Sequence, residues 1–146
     1  MSRSILHATD FSPASRAALA KAVELARREH APLLIAHVMT PPIPMMGDGY
    51  VSPATWDAIV KSYRKMAQRK LDAVVRRAKA AGARVRGLLL EGMPAEAIVR
   101  AARGRRVGTI VVGTHGRSGV ARFFLGSVAG RVVAGATCPV LTVRGR

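Results

Sequence analysis

Three glycines, Gly113, Gly116 and Gly119, fall within seven residues, and a further Gly126-Ser127 pair follows. Glycines at such density permit positive φ and a close approach of backbone to ligand, so successive N–H groups can form a nest for an anion. If Ser127 opens a helix, the free N–H groups and positive dipole end of that helix add to the nest. Arg117 would supply a charged fork, and Ser118 and Ser127 hydroxyl donors. The chemistry implied is a cradle for a di- or triphosphate. The competing reading is that the glycines only allow tight packing. The loop is no Walker A sequence, since no Gly-Lys-Ser/Thr occurs, and no Gly-x-Gly-x-x-Gly fingerprint follows the first predicted strand.

The elements that must position this loop alternate between strand and helix. Arg3 to Thr9 reads as a first strand, and Ser12-Pro13 gives a cap followed by proline at the first helical position. Leu19, Ala22, Val23 and Ala26 then recur at helical spacing. Pro32 to Met39 is an apolar run suited to a strand covered on both faces. Thr40 to Pro53 holds four of the eight prolines and two glycines, and is expected to be a loop or lid in which Met45, Met46 and Tyr50 could close over a bound base. From Trp56 through Ile59, Val60, Tyr63, Ala67, Leu71, Val74 and Ala78 the apolar spacing predicts a long amphipathic helix ending near Gly82. Val85 to Glu91, Thr109 to Gly113 and Cys138 to Val143 read as strands. Helices are expected from Pro94 to about Arg103 and from Ser127 to about Gly135. This alternation implies an α/β fold with a parallel sheet and helices on both faces, spanning residues 1–146 as one domain. Ligands in such sheets lie beyond the carboxyl ends of the strands where chain order reverses. The loops after strands one, two and four are therefore the ones of interest.

At this point the residues resemble a known family. The spacing Gly113-x2-Gly116-x9-Gly126-Ser127 is similar to the nucleotide-binding motif of the universal stress protein family, and the segments GTHGRSG, LGSVAGRVV and CPVLTV resemble its C-terminal half. Ile5 to Ser12 resembles its first strand and turn, and Leu34 to Val38 its second strand. The resemblance implies a Rossmann-like five-stranded parallel sheet of order 3-2-1-4-5 that binds ATP, or ADP or AMP, with Mg as a possible companion. It would place Thr9, Asp10 and Val38 on the adenine and ribose side. Gly113, Gly116, Arg117, Ser118, Gly126, Ser127 and Val128 would surround the ribose and phosphates. It also implies a homodimer through the last strand, which is itself an apolar edge strand needing a cover. Gly108 departs from the acidic residue the family usually carries there.

Individual residues admit plainer roles. Asp10 can cap the following helix instead of touching a ligand, and His115 can be a solvated loop residue instead of a phosphate donor. His7 and His37 read as hydrogen-bonded sheet residues, and Cys138 as a packed, inert thiol. No His, Cys, Asp and Glu set has metal-site spacing. Gly126→Val is expected to block the phosphate approach while leaving the fold intact.

The chain carries 24 Lys+Arg against 8 Asp+Glu, a net charge of +16. No carboxylate follows Glu96, while nine arginines do. Such a half-chain attracts anions. This motivates a competing reading as a nonspecific nucleic-acid-binding protein through the basic face of the second helix (Lys61, Arg64, Lys65, Lys70, Arg77). The 4% aromatic content gives little for base stacking. An enzyme on the same fold, such as an amide-forming hydrolase relative, is a third reading, opposed by the lack of carboxylates near the glycine loop. The preferred expectation is a nucleotide-dependent sensor or regulator in the stress response with slow or no hydrolysis. The single cysteine, the absence of a secretory h-region and the lack of an apolar run near 18 residues point to the cytoplasm and away from a membrane.

Overall fold

The computed structural model describes residues 2–40, 49, 51–115 and 125–145. Among them five strands and four helices alternate: β1 (Ile5–Ala8), α1 (Pro13–Arg28), β2 (Leu33–Met39), α2 (Pro53–Ala80), β3 (Val85–Glu91), α3 (Pro94–Gly104), β4 (Thr109–Gly113), α4 (Ser127–Gly135) and β5 (Val140–Val143). The strands form one parallel sheet, as the alternation implied, in the order β3-β2-β1-β4-β5, as the resemblance implied.

Side chains alternate across this sheet because successive Cβ atoms point to opposite faces. Ile5 joins a core with Leu19, Val23, Leu71 and Val74 of α1 and α2, whereas Leu6 joins Ile98, Ala102 and Val132 of α3 and α4. Right-handed crossovers explain the division. The chain first moves outward from β1 through β2 to β3, then returns past β1 to β4 and β5, so the later helices lie on the opposite face. The reversal leaves β1 and β4 side by side, with Ile5 against Thr109 and His7 against Val111.

The helices start where local chemistry allows. Ser12 Oγ accepts from the Ser15 amide and Pro13 follows, so α1 opens on a capped turn. Its alanines Ala18, Ala22 and Ala26 are buried and let the backbone lie close to the sheet. α2 begins at Pro53, earlier than the apolar series from Trp56 suggested, because Ser52 repeats the Ser-Pro device and accepts from the Thr55 amide. Proline at the first helical position gives up an N–H that has no helical partner anyway.

The amphipathic reading of α2 is half right. Ala67, Leu71, Val74 and Ala78 are buried, but Ile59 and Tyr63 are exposed. At 28 residues the helix is about 42 Å long, whereas the seven residues of β3 extend only about 23 Å. Its N-terminal half therefore overhangs the carboxyl edge of the sheet, where Arg64 pairs with Glu91 at the end of β3.

β5 begins at Val140, not Cys138, although the Pro139 carbonyl still accepts from the Ile110 amide at 3.0 Å. At Gly108 a Cβ would lie 2.7 Å from Cβ of Arg3, so the absent side chain makes room for the N-terminal strand approach. Cys138 is partly buried against the α3/α4 core, and desolvation raises its thiol pKa. It is expected to react with iodoacetamide several-fold more slowly in the native protein than in urea, because the thiolate is the nucleophile. Equal rates would show that the packing does not protect it. Among the described residues no helix is long and apolar enough to cross a membrane.

Candidate functional site

The chain reversal between β1 and β4 opens a cavity of about 330 Å³ beyond the carboxyl ends of the strands. That is at the small end of ligand pockets. β1 and its turn contribute Ala8, Thr9 and Asp10; β2 contributes Ala36, His37 and Val38; β4 and the residues directly after it contribute Val112, Gly113, Thr114 and His115. Gly126, Ser127, Val128 and Ala129 close it from α4. The structure thus brings Thr9, Asp10, Val38, Gly113, Gly126, Ser127 and Val128 around one space. Gly116, Arg117 and Ser118 lie outside the described residues, as do Met45, Met46 and Tyr50.

The two described glycines of the motif do not adopt positive φ; among the described glycines only Gly82 and Gly92 do so. Close approach explains them instead. A Cβ on Gly113 would sit 3.0 Å from the Ala14 carbonyl carbon and oxygen, so this glycine lets β4 end against the first turn of α1. A Cβ on Gly126 would sit 2.6 Å from the Thr114 carbonyl oxygen. That oxygen accepts the Gly126 amide, which pins the start of α4 to the end of β4. The expected basis for Gly126→Val therefore changes: backbone contact forbids even a methyl group, before any bulk reaches a ligand.

α4 differs from α1 and α2 in having no side-chain cap. Its first turn faces the cavity through Ser127, Val128 and Ala129. Because the first N–H groups of a helix have no intrahelical acceptor, an uncapped N-terminus offers donors and a partial positive charge to an anion.

Across the cavity, Asp10 serves the turn as well as lining the space. Its Oδ1 accepts the Ser12 amide at 2.9 Å and the Ser15 hydroxyl at 2.7 Å. Thr9 Oγ1 accepts the Phe11 amide at 3.0 Å, supporting Phe11 in left-handed backbone at φ 66. His37 Nδ1 lies 2.8 Å from the Thr9 carbonyl, to which it donates when protonated there, and its ring stacks on Phe11 at 4.3 Å between centroids. His37 is thus the hydrogen-bonded sheet residue expected, but it also forms part of the cavity wall. Thr114 Oγ1 and His115 Nδ1 share a hydrogen bond of 2.9 Å.

His7, one residue deeper on β1 than Ala8, is fully buried. Its Nδ1 lies 3.1 Å from the Val111 carbonyl, and its Nε2 has no hydrogen-bond partner among the described residues. Burial lowers its pKa from 6.5 to about 4, against smaller raising effects of the Val111 carbonyl and the Asp10 charge. It holds a neutral ring under the site and is not part of the cavity wall.

The sequence reading missed Pro94 and Ile98, which line the cavity from α3. Attention to the loops after strands one, two and four passed over the turn after β3. The signal available was Pro94 placed directly after a strand end, at the same edge of the sheet. Among the described residues no group of three or more His, Cys, Asp or Glu gathers as a metal site.

Comparison with known proteins agrees with this architecture. The model of the Universal stress protein family matches residues 1–144. A universal stress protein of Thermus aquaticus is 37% identical over 144 residues, covering 99% of this chain and 100% of the relative. The universal stress protein from Archaeoglobus fulgidus in complex with dAMP is 26% identical, with a TM-score of 0.72 over 97% of this chain and 98% of that one. A universal stress protein in complex with cAMP is 28% identical, with a TM-score of 0.71 over 99% and 98% of the two chains. This chain belongs to the universal stress protein family.

Proposed function

We propose that the cleft between β1 and β4 holds an adenine nucleotide, ATP or its hydrolysis products ADP and AMP, and that the protein acts as a nucleotide-dependent sensor or regulator. The observation that carries this reading is the uncapped start of α4 opening onto the cavity beside Gly113 and Gly126. Main-chain donors there suit a phosphate chain, with Gly116, Arg117 and Ser118 assigned to the same role by the motif spacing. Thr9, Asp10 and Val38 would meet the base and ribose at the other end. The solved relatives with dAMP and cAMP support adenine as the base.

The cleft is suited to holding nucleotide more than to turning it over. Asp10 is the only carboxylate among the described cavity residues, and its Oδ1 is engaged by the α1 turn. A Mg²⁺ ion accompanying the phosphates would find one protein carboxylate and take its other ligands from phosphate and water. The apolar edge strand β5, with Leu141 exposed, supports the expected homodimer through that strand.

The test is to heat-denature the purified protein, chromatograph the released small molecules, and titrate nucleotide-free protein with ATP and with AMP. ATP, ADP or AMP is expected in the supernatant, with tight binding of at least one of them. No released nucleotide and no binding at millimolar concentration would refute the reading. A turnover above about one per second would instead make the protein an enzyme.

A further inference from the structure

Six of the 24 lysines and arginines border two cavities beside α1, away from the cleft. Arg16, Leu19, Ala20, Val23 and Arg27 recur at three and four residues and form one stripe of α1. Both cavities open along it. The upper one, about 190 Å³, is bordered by Arg16 together with Lys70 and Arg77 of α2, and the Lys70 ammonium lies 5.8 Å from the centre of the Phe11 ring. The lower one, about 810 Å³, is bordered by Arg27, Arg28 and Arg84. Arg84 donates to the His30 carbonyl at 2.7 Å, which fixes its guanidinium at the mouth.

Arg28 of the lower cavity is attracted to Glu24. Arg16, Lys70 and Arg77 have no ion pair among the described residues, and Glu24, the carboxylate of the lower cavity, is bound to Lys21 at 2.8 Å. The two cavities in succession make up a basic furrow, with Arg16 of the upper and Arg27 of the lower standing about 16 Å apart along the axis of α1. That is the rise of roughly five nucleotides of one strand at 3.4 Å each, too long for a single phosphate. The cations bordering both cavities favour a polyanionic partner. We infer that the furrow between α1 and α2 is a sequence-independent docking surface for the phosphate backbone of a nucleic acid, separate from the nucleotide cleft.

The excess charge of the whole chain makes some DNA retention inevitable, so the test compares two faces at equal charge. One variant carries Arg16→Gln, Lys70→Gln and Arg77→Gln. The other carries Arg100→Gln, Arg103→Gln and Arg131→Gln on the α3/α4 face, where all three arginines are exposed. Binding of a short labelled DNA duplex is measured by fluorescence anisotropy across salt concentration, with thermal melts verifying that both variants fold. The furrow variant is expected to lose at least about ten-fold in affinity. The slope of log K against log salt should fall by about 2 to 3, as three lost phosphate contacts require. The opposite-face variant should keep a slope near that of the native protein. Equal losses in both variants would reduce the binding to bulk charge and overturn the assignment. So would polyglutamate binding to the furrow as tightly as the duplex. Nucleotide retention should be the same in all three proteins, so failure here and failure of the cleft reading are separable.

Discussion

Gly126→Ala is expected to weaken the proposed binding of ATP by at least about 100-fold, close to 3 kcal/mol. The new methyl group would sit 2.6 Å from the Thr114 carbonyl oxygen, a separation that cannot be tolerated against backbone. Either the end of β4 or the first turn of α4 must move. Both line the cleft, and the N–H donors of α4 cannot serve phosphates once displaced. The same movement could cost stability, so a second substitution separates the two effects. Ser127→Asp places a negative charge in the first turn of α4, which the helix dipole favours, so the melting temperature should be unchanged or higher. A polyanionic ligand meets that charge as repulsion, so affinity should fall by about ten-fold or more. Isothermal titration with ATP, beside thermal melts, reads both quantities. Native affinity in folded Ser127→Asp would remove α4 from the site.

Stability is expected to fall by about 3 kcal/mol as pH drops from 6.5 to 4 on account of His7 alone. The sign follows from its lowered pKa. In the unfolded chain the imidazole takes up a proton near 6.5, whereas in the native state it resists until about 4. Across that window the unfolded state binds more protons, so the stability present above 6.5 drains away as acid is added. Geometry gives the cause. The only hydrogen bond of the ring among those described runs from Nδ1 to Val111, so an added proton would rest on Nε2, buried and without an acceptor. Urea unfolding from pH 7 to 4.5 should show a markedly flatter stability profile for His7→Gln than for the native protein, whatever the offset at neutral pH. Parallel profiles would show that another group governs acid sensitivity.

The two predictions differ in how far each could be read in advance. Gly126-Ser127 after a strand was enough to raise an anion site as an expectation, because the helix it opens presents free N–H groups, although tight packing alone would also call for the glycine. Its reason was not legible: the contact is between Gly126 and the Thr114 carbonyl, and the φ of −55° at Gly126 needs no glycine. His7 was recognisable as a sheet residue from its apolar neighbours. Its orphaned Nε2 depends on Val111, more than a hundred positions away, so no local pattern could disclose it.

The strand and helix order, the parallel sheet and the location of the cleft came from local rules. Periodicity, the Ser-Pro cap before α1 and the glycine spacing each act over a few residues, the alternation then requires right-handed crossovers in a parallel sheet, and the family resemblance implied the strand order. Tertiary structure decided the rest. It left the N-terminal half of α2 uncovered because helix and sheet differ in length. It added Pro94 and Ile98 to the cavity because β3 ends at the same edge as its neighbours. It also gathered Arg16, Lys70 and Arg77 from two helices. Lengths, shared edges and contacts between helices are properties of the assembled chain, and no window of sequence contains them.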